Sequence, residues 1–499
     1  MLRRLTILLV VLLTVSAVRA QRRLPCNRSE SPVDGHAMTR SSGYVSKLTG
    51  QVRVPVILAA FPDCGFKLSN EQTRTNWDAM LNQPGFSEKG AMGCAADYFH
   101  DQSQGQFEVT FDVLGPVVLP DSMAYYGENS NNVEGEDRRP QQMIIDACKA
   151  TGKDFSPYDW NGDRTVDVVV VVFAGSGENR EGGPNSIWPH MSQVYNGKVG
   201  NLSLRTYACV SELRDHQELD GYGTLCHEFS HCLGLPDLYP VSGSAYSIFD
   251  EWDLMDGGNY ANRGFGVPNY SAFERSVCGW LTLTELSETS TITDMPSLEE
   301  RSVAYVIYND AYPEEYYILE NRQQKGWDYY VPGNGLLVTH VCDYNGSLQP
   351  NTSWRTQVDL VPADNRKYQD SKALFGEPMY GEDSRNKYLS LAAYPFSDDV
   401  VLNDSLTDGS VPASTLKNAN VAGTYFLSKP ITHIRMDDQG HISFDFMKVP
   451  SAISSVSMSG TPAVESCYDL NGRRLPSLPS TSGVFIIRFA DGSVRKVCQ

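Results

Sequence analysis

The chain has 499 residues, enough for two to four domains, and no covalent staples are needed to bury cores of that size. With 41 basic against 60 acidic residues the net charge is −19, which excludes the clustered Lys and Arg that nucleic-acid phosphates require. The 11 cysteines are scattered and contain no CxxC pair, which excludes a cysteine-rich zinc module.

The N-terminus opens with Arg3-Arg4, continues with an almost unbroken apolar stretch from Leu5 to Val18, and closes with Val18-Arg19-Ala20 before Gln21. That is the layout of a secretory signal peptide, residues 1–20, in a stretch too short for a comfortable membrane span. No later run is long and apolar enough to cross a bilayer, so no transmembrane segment is expected after signal removal, and the protein is expected to be secreted or held at the cell surface. Residues 21–52 are polar and read as a linker or short pro-segment.

From residue 53 strands and helices alternate. Val52, Val54, Val56 and Leu58 give a strand period, residues 73–81 and 91–102 have helical spacing, and residues 107–113 alternate again. The run Val166 to Ala174, dense in β-branched residues and stopped by Gly175, predicts a buried central strand. Just before it, Asp159, Asn161, Asp163, Thr165 and Asp167 place oxygen ligands at alternate positions, a pattern that can wrap calcium, with Thr165 using its carbonyl. Arg164 stands where an EF-hand has glycine, and the alternative is a polar Asx-rich turn.

Residues 219–235 predict a helix carrying His227-Glu228-Phe229-Ser230-His231. Histidines four apart share one helix face and can grip one zinc ion, while Glu228 beside them can take a proton from water activated by the ion. Cys226 and Cys232 flank the pattern and read as packing residues. Gly234 can end the helix in the left-handed conformation and Pro236 cannot continue it, so the chain can turn back and bring Asp237 to the ion as third ligand. Glu251 and Glu274, farther downstream, are rivals for that position. Met255, beside Gly257-Gly258, is placed to form a methionine turn below the metal, and Tyr260 is a candidate oxyanion donor. His190 reads as a core histidine. A further helix is expected over 271–281. The section 53–285 therefore reads as one α/β catalytic unit with a mixed sheet.

The section 286–448 shows short alternating runs at 302–308, 316–319, 335–341 and 441–446, and reads as a β-sandwich-like domain. Residues 449–499 form a small C-terminal β domain with hairpin signals at Asn471-Gly472 and Ala490-Asp491-Gly492-Ser493.

The stretch His227 to Asp237 with Trp252-Asp253-Leu254-Met255-Asp256 resembles the immune inhibitor A family of secreted bacterial metallopeptidases, as do Tyr98-Phe99, Ser103-Gln104-Gly105, Tyr125-Tyr126-Gly127 and Ile187-Trp188-Pro189-His190. The resemblance covers residues 53–285. It implies a metzincin-like α/β fold and a zinc metalloendopeptidase acting on proteins or peptides, with His227, His231 and Asp237 on the metal and Glu228 catalytic. The C-terminal segment, with Tyr468-Asp469-Leu470-Asn471-Gly472-Arg473-Arg474 and Gly483 to Arg488, is similar to the sorting domains of the type IX secretion system, which implies that secretion machinery is a partner. A rival reading from another class is an extracellular adhesin or binding protein with a metal-stabilised fold, in which Glu228 is dispensable.

Overall fold

The computed structural model describes residues 48–241, 247–343, 349–352, 355–366, 389–397, 402–448, 464–468, 473–475, 484–489 and 494–498. The signal peptide, most of the linker and the two expected C-terminal hairpin turns lie outside these residues. No helix among the described residues is long and apolar enough to cross a membrane.

The first section builds a mixed sheet from β1 (Gly50–Ala60), β2 (Phe107–Val118), β3 (Thr165–Ser176), β4 (His190–Gln193), β5 (Lys198–Val199) and β6 (Leu202–Leu213). Its order is β2-β1-β3-β6-β4, with β5 also on β6. β1, β2, β3 and β6 run parallel, and β4 pairs antiparallel with β6. The helices of this section are α1 (Asn70–Asn82), α2 (Ala95–Gln102), α3 (Met123–Gly127), α4 (Pro140–Thr151), α5 (Gly223–Leu233) and α6 (Ala272–Val277).

The period of two in β3 explains its unbroken valines. Val168, Val170 and Val172 join the core shared with α1, α2 and α5, while Val169, Val171 and Phe173 face Met143, Ile144 and Ala147 of α4. Neither face of the strand meets water, so no polar residue is needed on either. The result is three layers, helix, sheet and helix, around the expected central strand.

The second section contains β7 (Thr284–Glu285), β8 (Ser290–Met295), β9 (Ala304–Asn309), β10 (Tyr312–Arg322), β11 (Gly335–Cys342), β12 (Val358–Leu360), β13 (Phe396–Ser397), β14 (Leu402–Asn403), β15 (Ile431–Met436) and β16 (Ile442–Phe446). A five-stranded sheet, β12-β11-β10-β9-β7, faces a three-stranded sheet, β15-β16-β8. Tyr317, Leu319, Leu336 and Val338 fill the space between them with Ile431, Phe444 and Phe446.

The opposite face of the five-stranded sheet packs on the α/β section, across the expected boundary at 285/286. Ile318, Leu337 and Val341 belong to the same core as Phe229 of α5 and Met255, so packing continues through that position. The compact unit runs to Met447, and a second begins at Lys448. In that second unit β17 (Val464–Tyr468), β18 (Arg474–Leu475), β19 (Val484–Phe489) and β20 (Val494–Cys498) form an antiparallel sheet in the order β18-β17-β19-β20.

A buried ion network joins the two sections of the first unit. Arg322 donates to Asp328 from Nε and Nη2 and to Glu320 from Nη1 at 3.1 Å. Glu320 in turn accepts the Ala272 amide at the start of α6, and Asp328 accepts the Asn269 amide. Replacing Arg322 by Met strands two buried carboxylates, so Arg322→Met is expected to cost about 3–5 kcal/mol of stability. Thermal or urea unfolding checks it, and a loss below 1 kcal/mol contradicts this account of the junction.

Candidate metal centre

α5 is buried along its whole length. Leu225, Cys226, Phe229 and Cys232 point into the core, where Phe229 makes edge contacts with Phe99 and Phe111. Ser230 is satisfied inside the helix by the Cys226 carbonyl and pairs with the Tyr270 hydroxyl. His227, Glu228 and His231 remain for the other side. A helix cannot place residues at i and i+4 on different faces, so packing of the apolar side fixes the direction of both imidazoles.

Gly234 ends the helix at φ +104°, a conformation that a side chain would strain. Its amide donates to the His231 carbonyl, and the Leu235 amide donates to that of Ser230. The reversed chain then brings Asp237 back over the histidines. Asp237 Oδ1 lies 3.3 Å from His227 Nε2 and 3.2 Å from His231 Nε2, and the two Nε2 atoms are 3.2 Å apart. Ligand atoms about 2.0–2.1 Å from a tetrahedral zinc ion stand ~3.3 Å from one another, so this triangle has the size such an ion requires.

Each ring is held from behind. His227 Nδ1 donates to the Leu254 carbonyl and His231 Nδ1 to the Leu235 carbonyl, both at 2.7 Å. With the proton on Nδ1, the Nε2 lone pair of each ring is free to bind metal. Leu254 stands next to Met255, which is wholly buried, and the Met255 carbonyl accepts the Leu238 amide at 2.9 Å. The methionine turn therefore touches both the His227 ring and the segment carrying Asp237.

Electrostatics fit a cation. Asp237 Oδ1 and both carboxyl oxygens of Glu228 are buried without a hydrogen-bond donor. Such atoms are rare in folded proteins and call for an ion or another explanation. Burial pushes the Glu228 carboxyl up to about 8, with Asp237 adding to the rise and His227 and the Met191 backbone of β4 opposing it. Burial acts in the same direction on Asp237, but the adjacent His231 and His227 outweigh it and hold that carboxyl at about 2. Two imidazole nitrogens and the Asp237 carboxylate oxygen form a donor set that a dication suits, with the Glu228 carboxyl beside it in a dry site.

The other predicted residues fall elsewhere. Glu251 and Glu274 are buried but do not join the two histidines: among the described residues Asp237 alone completes that group. Glu274 caps α6, accepting from the Ser271 amide and hydroxyl. Tyr260 is buried with its ring 4.5 Å from the Arg180 guanidinium, itself 3.0 Å from Asp215. His190 is a core residue whose Nδ1 meets the Trp188 carbonyl and whose Nε2 meets the Tyr207 hydroxyl. Burial lowers its pKa to about 4, so it stays neutral.

The expected calcium loop is closed on itself. Asp159 Oδ1 accepts the Gly162 and Asp163 amides and its Oδ2 the Arg164 amide. Asp163 pairs with Arg205 at 2.9 Å, and Asp167 accepts the Trp160 amide. Asn161 accepts from Asp163, and Thr165 begins β3. These bonds are those of an Asx-rich turn leading into the strand. What the sequence could not reveal are the backbone partners, the Leu254 and Leu235 carbonyls, since any residue type supplies them.

Residues 66–282 match the family described as immune inhibitor A peptidase M6, catalytic domain. The chain is 26% identical over 271 residues to immune inhibitor A of Bacillus thuringiensis subsp. alesti, covering 44% of this chain and 38% of that protein. It is 26% identical over 263 residues to the pre-pro-metalloprotease PrtV of Vibrio cholerae serotype O1, covering 43% of this chain and 28% of that protein. The matched region thus spans well under half the length of these relatives.

Gly234→Ala is expected to cost about 1–2 kcal/mol through its positive φ. It should weaken zinc binding although no ligand has changed, because Asp237 then returns at a different height. Titration with a zinc-chelating dye measures this, and unchanged affinity speaks against the turn as the positioning element.

Proposed function

We propose that residues 66–282, which match the immune inhibitor A peptidase M6 catalytic domain, form a peptidase domain and that the chain is a zinc-dependent endopeptidase hydrolysing peptide bonds of protein substrates. His227, His231 and Asp237 hold the ion, and Glu228 moves the protons. The observation that carries this reading is the meeting of three ligand atoms at zinc spacing beside a buried, donorless carboxyl. An adhesin with a structural metal has no use for that fourth group.

When bound, the ion supplies Lewis-acid polarisation of the scissile carbonyl and lowers the pKa of water towards about 7. Three protein ligands leave one position of a tetrahedral site open for that chemistry. Glu228 takes the proton of the attacking water and returns it to the departing amine nitrogen, so one carboxyl serves as base and then as acid. Its burial favours both halves of the cycle, because a desolvated carboxylate is a stronger base than one in water.

β4 supports a peptide substrate. It is the antiparallel end strand of the sheet, paired with β6 on one side, and its Met191 backbone reaches the Glu228 carboxyl. An extended chain adding to its other side would run past the catalytic group. Arg3-Arg4 and the apolar stretch after them support export, and the C-terminal sheet supports a role in passage through secretion machinery.

Glu228→Gln should lower kcat on an unstructured protein substrate by about 10²–10⁴-fold while the variant still binds one equivalent of zinc. A chelator should silence the wild type, and zinc should restore it. Undiminished turnover by Glu228→Gln would falsify the assignment. His231→Ala is expected to lose both zinc and turnover, and a fully active, metal-free His231→Ala enzyme refutes the metal centre itself.

A further inference from the structure

The turn that supplies the Leu254 carbonyl rests on a second pair of acidic side chains, Asp253 and Glu274, outside the metal centre. Both are buried, at 1% and 0% exposure. Asp253 Oδ1 accepts the Met255 amide at 2.8 Å, and the Asp253 carbonyl accepts the amides of Asp256 and Gly258, so this residue closes the turn around Leu254. Glu274 Oε2 accepts the Ser271 amide at 2.7 Å and the Ser271 hydroxyl at 3.0 Å. Each carboxyl thus has one oxygen committed to donors of its own segment. The remaining oxygens, Asp253 Oδ2 and Glu274 Oε1, have no donor, and the two carboxyls are in hydrogen-bonding contact with each other.

Two ionised carboxylates are acceptors only and cannot satisfy one another. Among the described residues no neighbouring donor reaches the two orphaned oxygens. Tyr98 donates to the Pro268 carbonyl, Tyr270 pairs with Ser230, and Arg322 is bound to Asp328 and Glu320. A single proton between the carboxyls satisfies both orphaned oxygens at once. Burial pushes both carboxyls up; on Glu274 the Asp253 charge adds to the rise, whereas on Asp253 the Met255 amide and Arg322 oppose it.

We propose that Glu274 is a positioning residue that donates a carboxyl proton to Asp253, and that this hydrogen bond sets the turn whose Leu254 carbonyl orients the His227 ring. The shared proton stands on the pair alone. Its effect on metal affinity rests on the zinc centre proposed above.

Two readouts test it without turnover: infrared absorption of a protonated carboxyl, and zinc affinity by competition with a chelating dye. The wild type should show a protonated-carboxyl band at pH 8, lost in Glu274→Gln. That variant should keep near-wild-type zinc affinity, because its amide still donates to Asp253. Glu274→Met, which fills the space without a donor, should bind zinc about 10–100-fold more weakly. Asp253→Asn reverses the donor and should likewise lose the band and keep the metal, which covers the case in which Glu274→Met does not fold. No band difference between wild type and Glu274→Gln overturns the shared proton. Wild-type zinc affinity in Glu274→Met, or loss of zinc in both donor-retaining variants, overturns the positioning role. A wild type that shows the band but binds no zinc removes the hydrolase reading and leaves the proton pair standing.

Discussion

Two hydrogen bonds from imidazole Nδ1 to backbone carbonyls hold the centre together. An imidazole on a free helix rotates about χ1 and χ2 and offers either nitrogen. Once His227 is tied to Leu254 and His231 to Leu235, both tautomer and direction are set, and the two Nε2 atoms face one point. Both carbonyls are parts of turns, one after Gly234 and one at Met255. The Leu238 amide bound to the Met255 carbonyl links those two turns. Helix, left-handed turn and methionine turn therefore act as one clamp.

The parts of this clamp visible in the sequence are those set by local geometry. Histidines at i and i+4 share a face whatever surrounds them. Gly234 followed by Pro236 ends a helix by rules involving only a few residues, which is why Asp237 could be placed among candidates. Those same rules favoured Asp237 over its rivals Glu251 and Glu274, and Asp237 is the residue found beside the two histidines. The valine-rich β3 was legible from composition, whereas β6 was not, because Thr206, Ser211 and Glu212 interrupt its apolar pattern. Glu212 is tolerated there because it accepts the Lys67 and Gly175 amides, contacts made across the sheet. The stretch 159–167 has a related ambiguity, because alternating oxygen residues suit a cation and a self-closing Asx turn equally.

The position of the expected boundary after residue 285 shows the same limit at larger scale. Strands with alternating hydrophobicity announce one buried face, and a separate sandwich is the economical reading. β10 and β11 instead bury residues of both parities, Ile318 and Leu337 toward the α/β core and Leu319 and Leu336 toward the small sheet. The charged residues that break the pattern, Glu320, Arg322 and Asp328, are the buried network that meets the chain just before α6. What looks in sequence like surface polarity is in the fold an internal joint.

A sheet enclosed on both sides also couples occupancy to mechanical integrity. Whatever binds only the folded state adds RT ln(1 + [L]/Kd) to the stability of every part that unfolds with it. Because the five-stranded sheet shares its interior with α5, metal loading at the helix extends protection to β-strands with no ligand of their own. Withdrawal of the ion loosens them in the same proportion.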